Sequence, residues 1–154
     1  MRIVLMLLCL IFCACKDEYF LTLNSKEPLS LKYNAKEKAL KGLDEPFMLF
    51  FYSKDCGVCE KQIPILNELS KNYKIIAVLG NMKNKDMAVK NLKGVTFTTI
   101  YDSLDVEYLS NVVGGVYGVP AMFIYDNNGK MVKKFISLTP KSVLEKELRA
   151  VKGV

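Results

Sequence analysis

The sequence predicts an α/β sandwich: a mixed central β-sheet with helices on both faces. Two patterns carry that expectation. Apolar runs of strand length alternate with helical stripes through the middle of the chain, and a hairpin followed by an amphipathic helix closes it. The length of 154 residues fits one domain, large enough to bury roughly 68–70% of its unfolded surface without a metal or disulfide staple.

The chain opens with Arg2, an unbroken apolar run from Ile3 to Phe12, and then Cys13, Ala14 and Cys15. Lys16 stops the run well short of the roughly 20 residues a membrane span needs. A positive start, a short apolar core and a small residue before a cut describe a signal peptide over residues 1–14. Cleavage after Ala14 would leave Cys15 first, an arrangement that resembles the lipobox of bacterial lipoproteins. Residues 15–19 then form a lipidated polar tether, and the folded domain is expected over residues 20–154. An ordinary signal peptide and an uncleaved anchor are the alternatives.

The elements follow in order. Phe20 to Leu23 and Leu29 to Tyr33 alternate apolar with polar around Asn24, Ser25 and Pro28, which predicts an N-terminal hairpin. Ala35 to Lys41 reads as a short helix closed by Gly42. Pro46 to Tyr52 is a buried central strand, broken by Ser53 to Gly57. From Val58 to about Lys71, Ile63, Leu66 and Leu69 form a helical stripe that Pro64 should kink. Ile75 to Leu79 is a second strand, Lys85 to Leu92 a helix, and Val95 to Tyr101 a third strand. Leu104 to Val113 is a helix ended by Gly114 and Gly115. Ala121 to Tyr125 and Met131 to Ile136 flank Asp126-Asn127-Asn128-Gly129, a strong hairpin signal. Pro140 to Val151 closes the chain as a helix with Leu144 and Leu148 on one face.

Composition excludes several function classes. There are 22 basic and 16 acidic residues, net +6, and no histidine. The missing imidazole removes His-based zinc sites and Ser-His or Cys-His nucleophile pairs. The lysines are scattered, without a run of five like charges or an aromatic-interleaved basic stripe. They read as a solvated surface, compatible with anionic lipid, and no nucleic-acid partner is expected.

The chemistry is carried by Cys56-Gly57-Val58-Cys59, at the junction of a buried strand and a helix. At a helix N-terminus the first amide N–H groups lack intrahelical partners, and the dipole places partial positive charge there. A thiolate on Cys56 is stabilised in that position and becomes a usable nucleophile. The spacing puts both sulfurs on one side of a helical turn, with Cys56 the exposed member and Cys59 the buried one. A structural disulfide would close too short a loop to be a good entropic staple. Half of a zinc site lacks further ligands, so no metal or other cofactor is expected; two-coordinate Cu(I) is the one metal alternative. Of the five cysteines, Cys9 and Cys13 leave with the leader and Cys15 carries lipid, so Cys56 and Cys59 remain as a pair.

From Tyr19 onward the chain resembles the thioredoxin fold, and within it the extracytoplasmic TlpA/ResA-like thiol-disulfide oxidoreductases. The resemblance lies in FMLFFYSKDCGVCEKQIPILNEL, where Pro64 matches the helix-kinking proline, and in GVYGVPAMFIYDNNGK, where Pro120 matches the cis-proline. It implies a thioredoxin-like three-layer sandwich in which Lys83 to Val113 is an inserted strand-helix element. Catalysis then rests on Cys56 as attacking thiolate and Cys59 as resolving thiol, with Val119 and Pro120 contacting an extended substrate. Three positions depart from the family: Asp55 stands where Trp is usual, Phe50 where thioredoxins bury an Asp, and Gln62 where a Glu is frequent. Glu60 and Gln62 are the candidates for proton transfer to Cys59, with water as the alternative acceptor.

The implied partners are a disulfide-containing client protein, a membrane electron donor of thiol-redox type, and the membrane itself through a lipid anchor. The protein is expected to be a monomer on the extracytoplasmic (periplasmic) side of a bacterial membrane. No His lies between the cysteines to stabilise the reduced form, which favours a reductase, with apocytochrome c before haem attachment as one client. A disulfide oxidase or isomerase, a Cu(I)-binding module and a non-enzymatic scaffold lipoprotein are the other readings.

Overall fold

A computed structural model describes residues 19–153. The signal peptide expected over residues 1–14, the expected anchor Cys15 and the expected tether up to residue 18 lie outside the described residues. No helix among the described residues is long and apolar enough to cross a membrane.

The core of the molecule is a six-stranded mixed sheet. In chain order its strands are β1 (Thr22–Leu23), β4 (Phe47–Ser53), β5 (Lys74–Gly80), β6 (Thr99–Ile100), β7 (Ala121–Tyr125) and β8 (Met131–Ile136). A separate two-stranded sheet pairs β2 (Lys32–Asn34) with β3 (Ala39–Lys41). The large sheet has the order β1-β6-β5-β4-β7-β8, with β4, β5 and β6 parallel and the other neighbours antiparallel. The helices are α1 (Gly57–Leu69), α2 (Lys85–Lys90), α3 (Ser103–Val112) and α4 (Lys141–Lys152).

The period-2 alternation of a strand divides β4 between two cores. Met48, Phe50 and Tyr52 pack with Ile63 and Leu66 of α1, Ala88 of α2, and Leu144 and Leu148 of α4. Phe47, Leu49 and Phe51 pack on the other face with Leu109 of α3, with Leu40 of the small sheet and with Leu31 just before it. That is why the run reads as continuously apolar: both of its faces are covered. Ring pairs reinforce the division, Phe50 stacking on Tyr52 at 5.2 Å and Phe47 on Tyr125 at 4.7 Å. Pro64 stands inside α1, where it cannot donate to the Glu60 carbonyl, yet the helix continues through it.

Three local expectations are corrected. The N-terminal hairpin between Phe20–Leu23 and Leu29–Tyr33 reduces to one bridge, with Phe20 N–H donating to the Leu29 carbonyl at 2.8 Å. Thr22 and Leu23 instead join the edge of the large sheet beside β6, where Leu23 is buried. Ala35 to Lys41 is not a helix but the turn and second arm of a hairpin. The Asn34 Oδ1 accepts from the N–H groups of Lys36 and Glu37, and Lys38 takes a left-handed φ of 51°, which together reverse the chain before a helix can start.

The strand predicted over Val95–Tyr101 keeps only Thr99 and Ile100 in the ladder. Asn67 of α1 explains the loss. Its Nδ2 donates to the Gly94 carbonyl, and its Oδ1 accepts from the N–H of Thr96, taking backbone groups a longer strand would have used. Val95 and Phe97 are still buried, as parts of a loop.

Candidate active site

The strand β4 ends at Ser53, and the Cys56 N–H donates back to the Ser53 carbonyl at 3.4 Å, turning the chain into α1. Cys56 is the N-cap of that helix, and its Sγ accepts the Cys59 N–H at 3.1 Å. A sulfur in this place sits where Ser, Thr or Asp oxygens usually satisfy orphan donors, at the positive end of the dipole. Cys56 and Cys59 are disulfide-bonded, with S–S 2.06 Å. Cys56 is half-buried, whereas Cys59 is 1% exposed and belongs to the core cluster that includes Phe50, Tyr52 and Ile63. The two sulfurs therefore differ in access as well as in electrostatics. Only Cys56 is open to a partner the size of a polypeptide.

Across from the pair, the Val119 carbonyl oxygen lies 3.6 Å from Cys56 Sγ, and the Val119–Pro120 peptide bond is cis. Pro120 itself is buried, and its carbonyl accepts the Ser137 N–H at 2.8 Å. Among the described residues, no hydrogen bond uses the N–H groups of Val116 to Val119 or the carbonyls of Val116 to Gly118. This four-residue segment meets the disulfide at Val119 and leaves the rest of its backbone unpaired.

Charged neighbours are exposed. Asp55 is open to solvent and 3.9 Å from Lys54 Nζ. Glu60, in the first turn of α1, pairs with Lys93 at 2.9 Å. Gln62 is fully buried, and its amide is committed on both sides to Thr139: Nε2 donates to the Thr139 carbonyl at 3.1 Å and Oε1 accepts the Thr139 N–H at 2.7 Å. That clip holds the loop before α4 against α1. Thr139 had no signal in the sequence, because its contribution is main-chain N–H and C=O that any residue but proline would carry. Tyr52, behind the pair, is buried and its hydroxyl donates to the Leu92 carbonyl; burial pushes its pKa well above the usual phenol range. Among the described residues, no group of three or more His, Cys, Asp or Glu side chains could hold a metal.

This geometry, a helix-capping disulfide opposite a cis X-Pro bond on a mixed sheet, has known counterparts. The thioredoxin-like domain family matches residues 33–152. The chain belongs to that family. Among curated relatives, the thiol-disulfide oxidoreductase ResA of Bacillus anthracis is 34% identical over 125 residues, covering 74% of this chain and 66% of the relative. The ResA of Geobacillus kaustophilus is 29% identical over 112 residues. The chain thus spans just under two thirds of the length of the Bacillus ResA proteins to which it is 34% identical. Among solved structures, a candidate thiol:disulfide interchange protein DsbE from Chlorobium tepidum is 28% identical. It has a TM-score of 0.61 and covers 77% of this chain and 84% of its own. StoA from Bacillus subtilis has a TM-score of 0.64 at 17% identity, with coverage of 84% and 93%, a likeness of fold.

Proposed function

We propose that this protein is a thiol-disulfide oxidoreductase that reduces disulfides of client proteins outside the cytoplasm. The observation that carries the reading is the asymmetry of the pair: a half-buried sulfur at the N-cap of α1 bonded to one buried in the core. ResA and DsbE, the names borne by its relatives, support the same chemistry.

The cycle begins with the pair reduced. The Cys56 thiolate, favoured by the Cys59 N–H and the helix dipole, attacks one sulfur of a client disulfide. The Cys56–client bond forms, the client S–S bond breaks, and the departing client sulfur leaves as a thiolate that takes a proton from solvent. Cys59 then loses its proton and attacks Cys56 Sγ, forming the Cys56–Cys59 disulfide and releasing the second client thiol. Two electrons pass from the pair to the client, and a dithiol donor at the membrane must return them. We assign the proton acceptor for Cys59 to water, because Gln62 is held by Thr139 and Glu60 by Lys93. Val119 and Pro120 line the approach and position the client backbone during the attack.

The placement is part of the proposal. Arg2, the apolar run from Ile3 to Phe12 and Cys15 support a cleaved leader and a lipid anchor, which would hold the domain on the extracytoplasmic face of a membrane. Apocytochrome c awaiting haem is the client we propose.

Cysteine substitution tests the roles. Cys59→Ser should accumulate mixed disulfides with clients, and Cys56→Ser should accumulate none; equal trapping by both would reverse the assignment. Mass spectrometry of the trapped adducts names the client. A reduction potential near −120 mV, the strongly oxidising end of the range, would replace the reductase reading with an oxidase.

A further inference from the structure

The chain enters the described domain at one edge of the large sheet, and it is tightly restrained there. Phe20 N–H donates to the Leu29 carbonyl at 2.8 Å, and Leu21 N–H donates to Asp105 Oδ2 of α3 at 3.1 Å. The Leu21 carbonyl accepts the Tyr101 N–H at 3.4 Å. The Phe20 ring meets Tyr108 edge-on at 6.2 Å, and the Tyr108 hydroxyl accepts the Tyr33 N–H at 2.7 Å. Whatever precedes Tyr19 is therefore joined to a fixed point between β1 and α3.

That point carries large side chains that the core does not use. Tyr19 is 56% exposed, Leu21 54%, Leu104 74% and Tyr108 37%, and all four line one hollow. Leu104 and Tyr108 stand one turn apart on α3 and so share a face. The charged residues of the hollow are Lys32, Asp102 and Asp105. Both carboxylates accept main-chain N–H groups, Asp102 from Leu104 and Asp105 from Leu21. The hollow therefore has no excess of cations to offer an anionic headgroup. Tyrosines with an apolar body and a polar tip, set beside exposed leucines, instead suit the boundary between water and hydrocarbon. Only residues 16–18 separate Tyr19 from Cys15, and four Cα steps span at most roughly 14 Å.

We propose, on the basis of the lipid-anchored placement, that Tyr19, Leu21, Leu104 and Tyr108 form a membrane-docking face. This face enters the headgroup–acyl boundary of the bilayer through apolar and aromatic contact, not through charge. It sets how the domain lies on the membrane. The sheet order β1-β6-β5-β4 puts the strand that leads to Cys56 three steps from this edge, roughly 14 Å at about 4.8 Å per step. The reactive sulfur is thereby kept near the surface at which the dithiol donor returns electrons. The far edge, β8, also exposes Val132 and Ile136, but Lys133 and Lys134 interrupt them, and five strand steps separate β8 from β1.

The chain has no tryptophan, so a single introduced one reports on its own surroundings. The protein, expressed with its whole sequence and extracted from membranes, is reconstituted into phosphatidylcholine vesicles that contain lipids brominated near the top of the acyl chains. Leu104→Trp and Tyr19→Trp, two independent reporters on exposed positions, should be quenched about threefold or more above Val132→Trp on the far edge. Adding Leu21→Ser and Leu104→Ser to the Tyr19→Trp reporter should cut its quenching severalfold, because two apolar side chains leave the bilayer. The signal should be the same with added phosphatidylglycerol and at about 1 M salt. Equal quenching at the two edges, or quenching that requires phosphatidylglycerol, overturns the docking face while leaving the anchor in place. Shielding of the Leu104→Trp reporter that depends on protein concentration rather than on lipid assigns the patch to a second copy and also overturns it. Intact-mass spectrometry that finds no acyl chain on Cys15, with the protein remaining in solution, overturns the anchored placement and the docking face with it.

Discussion

The two ends of the central sheet are built on opposite terms. Where β4 and β5 finish, at Ser53 and Gly80, the chain presents a disulfide, an unpaired backbone edge and an uncharged groove. Where β4 begins and β7 ends, at Phe47 and Tyr125, the loops bind one another. The Asp126 Oδ1 accepts the N–H groups of Asn128 and Lys130 at 2.8 and 2.9 Å, and Leu40 N–H donates to the Gly129 carbonyl at 2.7 Å. Phe47 stacks on Tyr125 across the same end. One pole ties its loops to one another, with the Tyr125 hydroxyl the one buried side-chain polar group left unpartnered among the described residues, and the other leaves backbone groups open for a visitor. Reactive residues on an open edge need a rigid sheet behind them, and the closed pole contributes to that rigidity.

The largest effect should come from the open pole. Cys56→Ser should reduce insulin-reduction turnover to background, while replacing Lys38, Lys130 and Lys133 together by Ser at the closed pole should leave kcat/KM within about twofold of wild type at moderate salt, where surface charges are screened. A comparable loss in the lysine variant would show that the basic pole takes part in client capture.

The closed pole should instead answer in stability. A Cβ on Gly129 would sit 2.2 Å from the Leu40 carbonyl oxygen, and its φ of 74° is left-handed. Gly129→Ala should cost about 2–4 kcal/mol, lowering Tm by roughly 5–15 °C in calorimetry, with the activity of the molecules still folded unchanged. A shift below about 2 °C would mean that the two loops separate easily, and the contrast between the poles would lose its basis.

What was legible in the sequence follows the same contrast. The central strands, α1 with its cysteine pair, α3, α4 and the Asp126–Gly129 turn were readable because each is specified by neighbouring residues: an apolar run, a cap, a Gly after Asn. Ala35–Lys41 misled because its alternation of Ala, Leu and Lys suits a helix, while the deciding contacts come from the Asn34 side chain, which precedes it. The shortening of Val95–Tyr101 depends on Asn67, far back in α1. At the site, Cys56, Cys59 and Pro120 were visible as motif residues. The groove was not, because Ser53, Gly80, Val106 and Tyr117 reach it from four separate segments.

A buried contact behind the open pole gives the next prediction. Gln62 satisfies the N–H and the carbonyl of Thr139 at once, which an amide can do and a carboxylate cannot. In Gln62→Glu, the side chain can donate to the Thr139 carbonyl only while protonated, and burial also favours the neutral form, so its folded pKa should rise. A raised folded pKa leaves stability intact below the unfolded value of about 4.3 and removes it as pH increases towards the folded value. Urea unfolding should therefore show Gln62→Glu close to wild type at pH 4 and about 2–3 kcal/mol weaker at pH 7.5. A difference independent of pH would place the side chain in water.

The smallest effect belongs to the exposed counterpart of that clip. Glu68 of α1 accepts a hydrogen bond from Lys141 of α4, joining the same two helices at the surface. That hydrogen bond, with the positive charge of Lys141 behind it, holds the Glu68 carboxyl below its usual 4.5. A depressed folded pKa works with the opposite sign: its stabilisation is present above the unfolded pKa and disappears as pH falls through the folded one. Both side chains are well exposed, so solvent screening leaves the pair little to contribute. Glu68→Gln should therefore shift the urea midpoint only slightly at pH 7, should converge with wild type below pH 3, and should show no difference at 1 M salt. A salt-independent loss larger than that of Gln62→Glu at pH 7.5 would mean that the surface pair, rather than the buried amide, is what holds α4 against the cysteine helix.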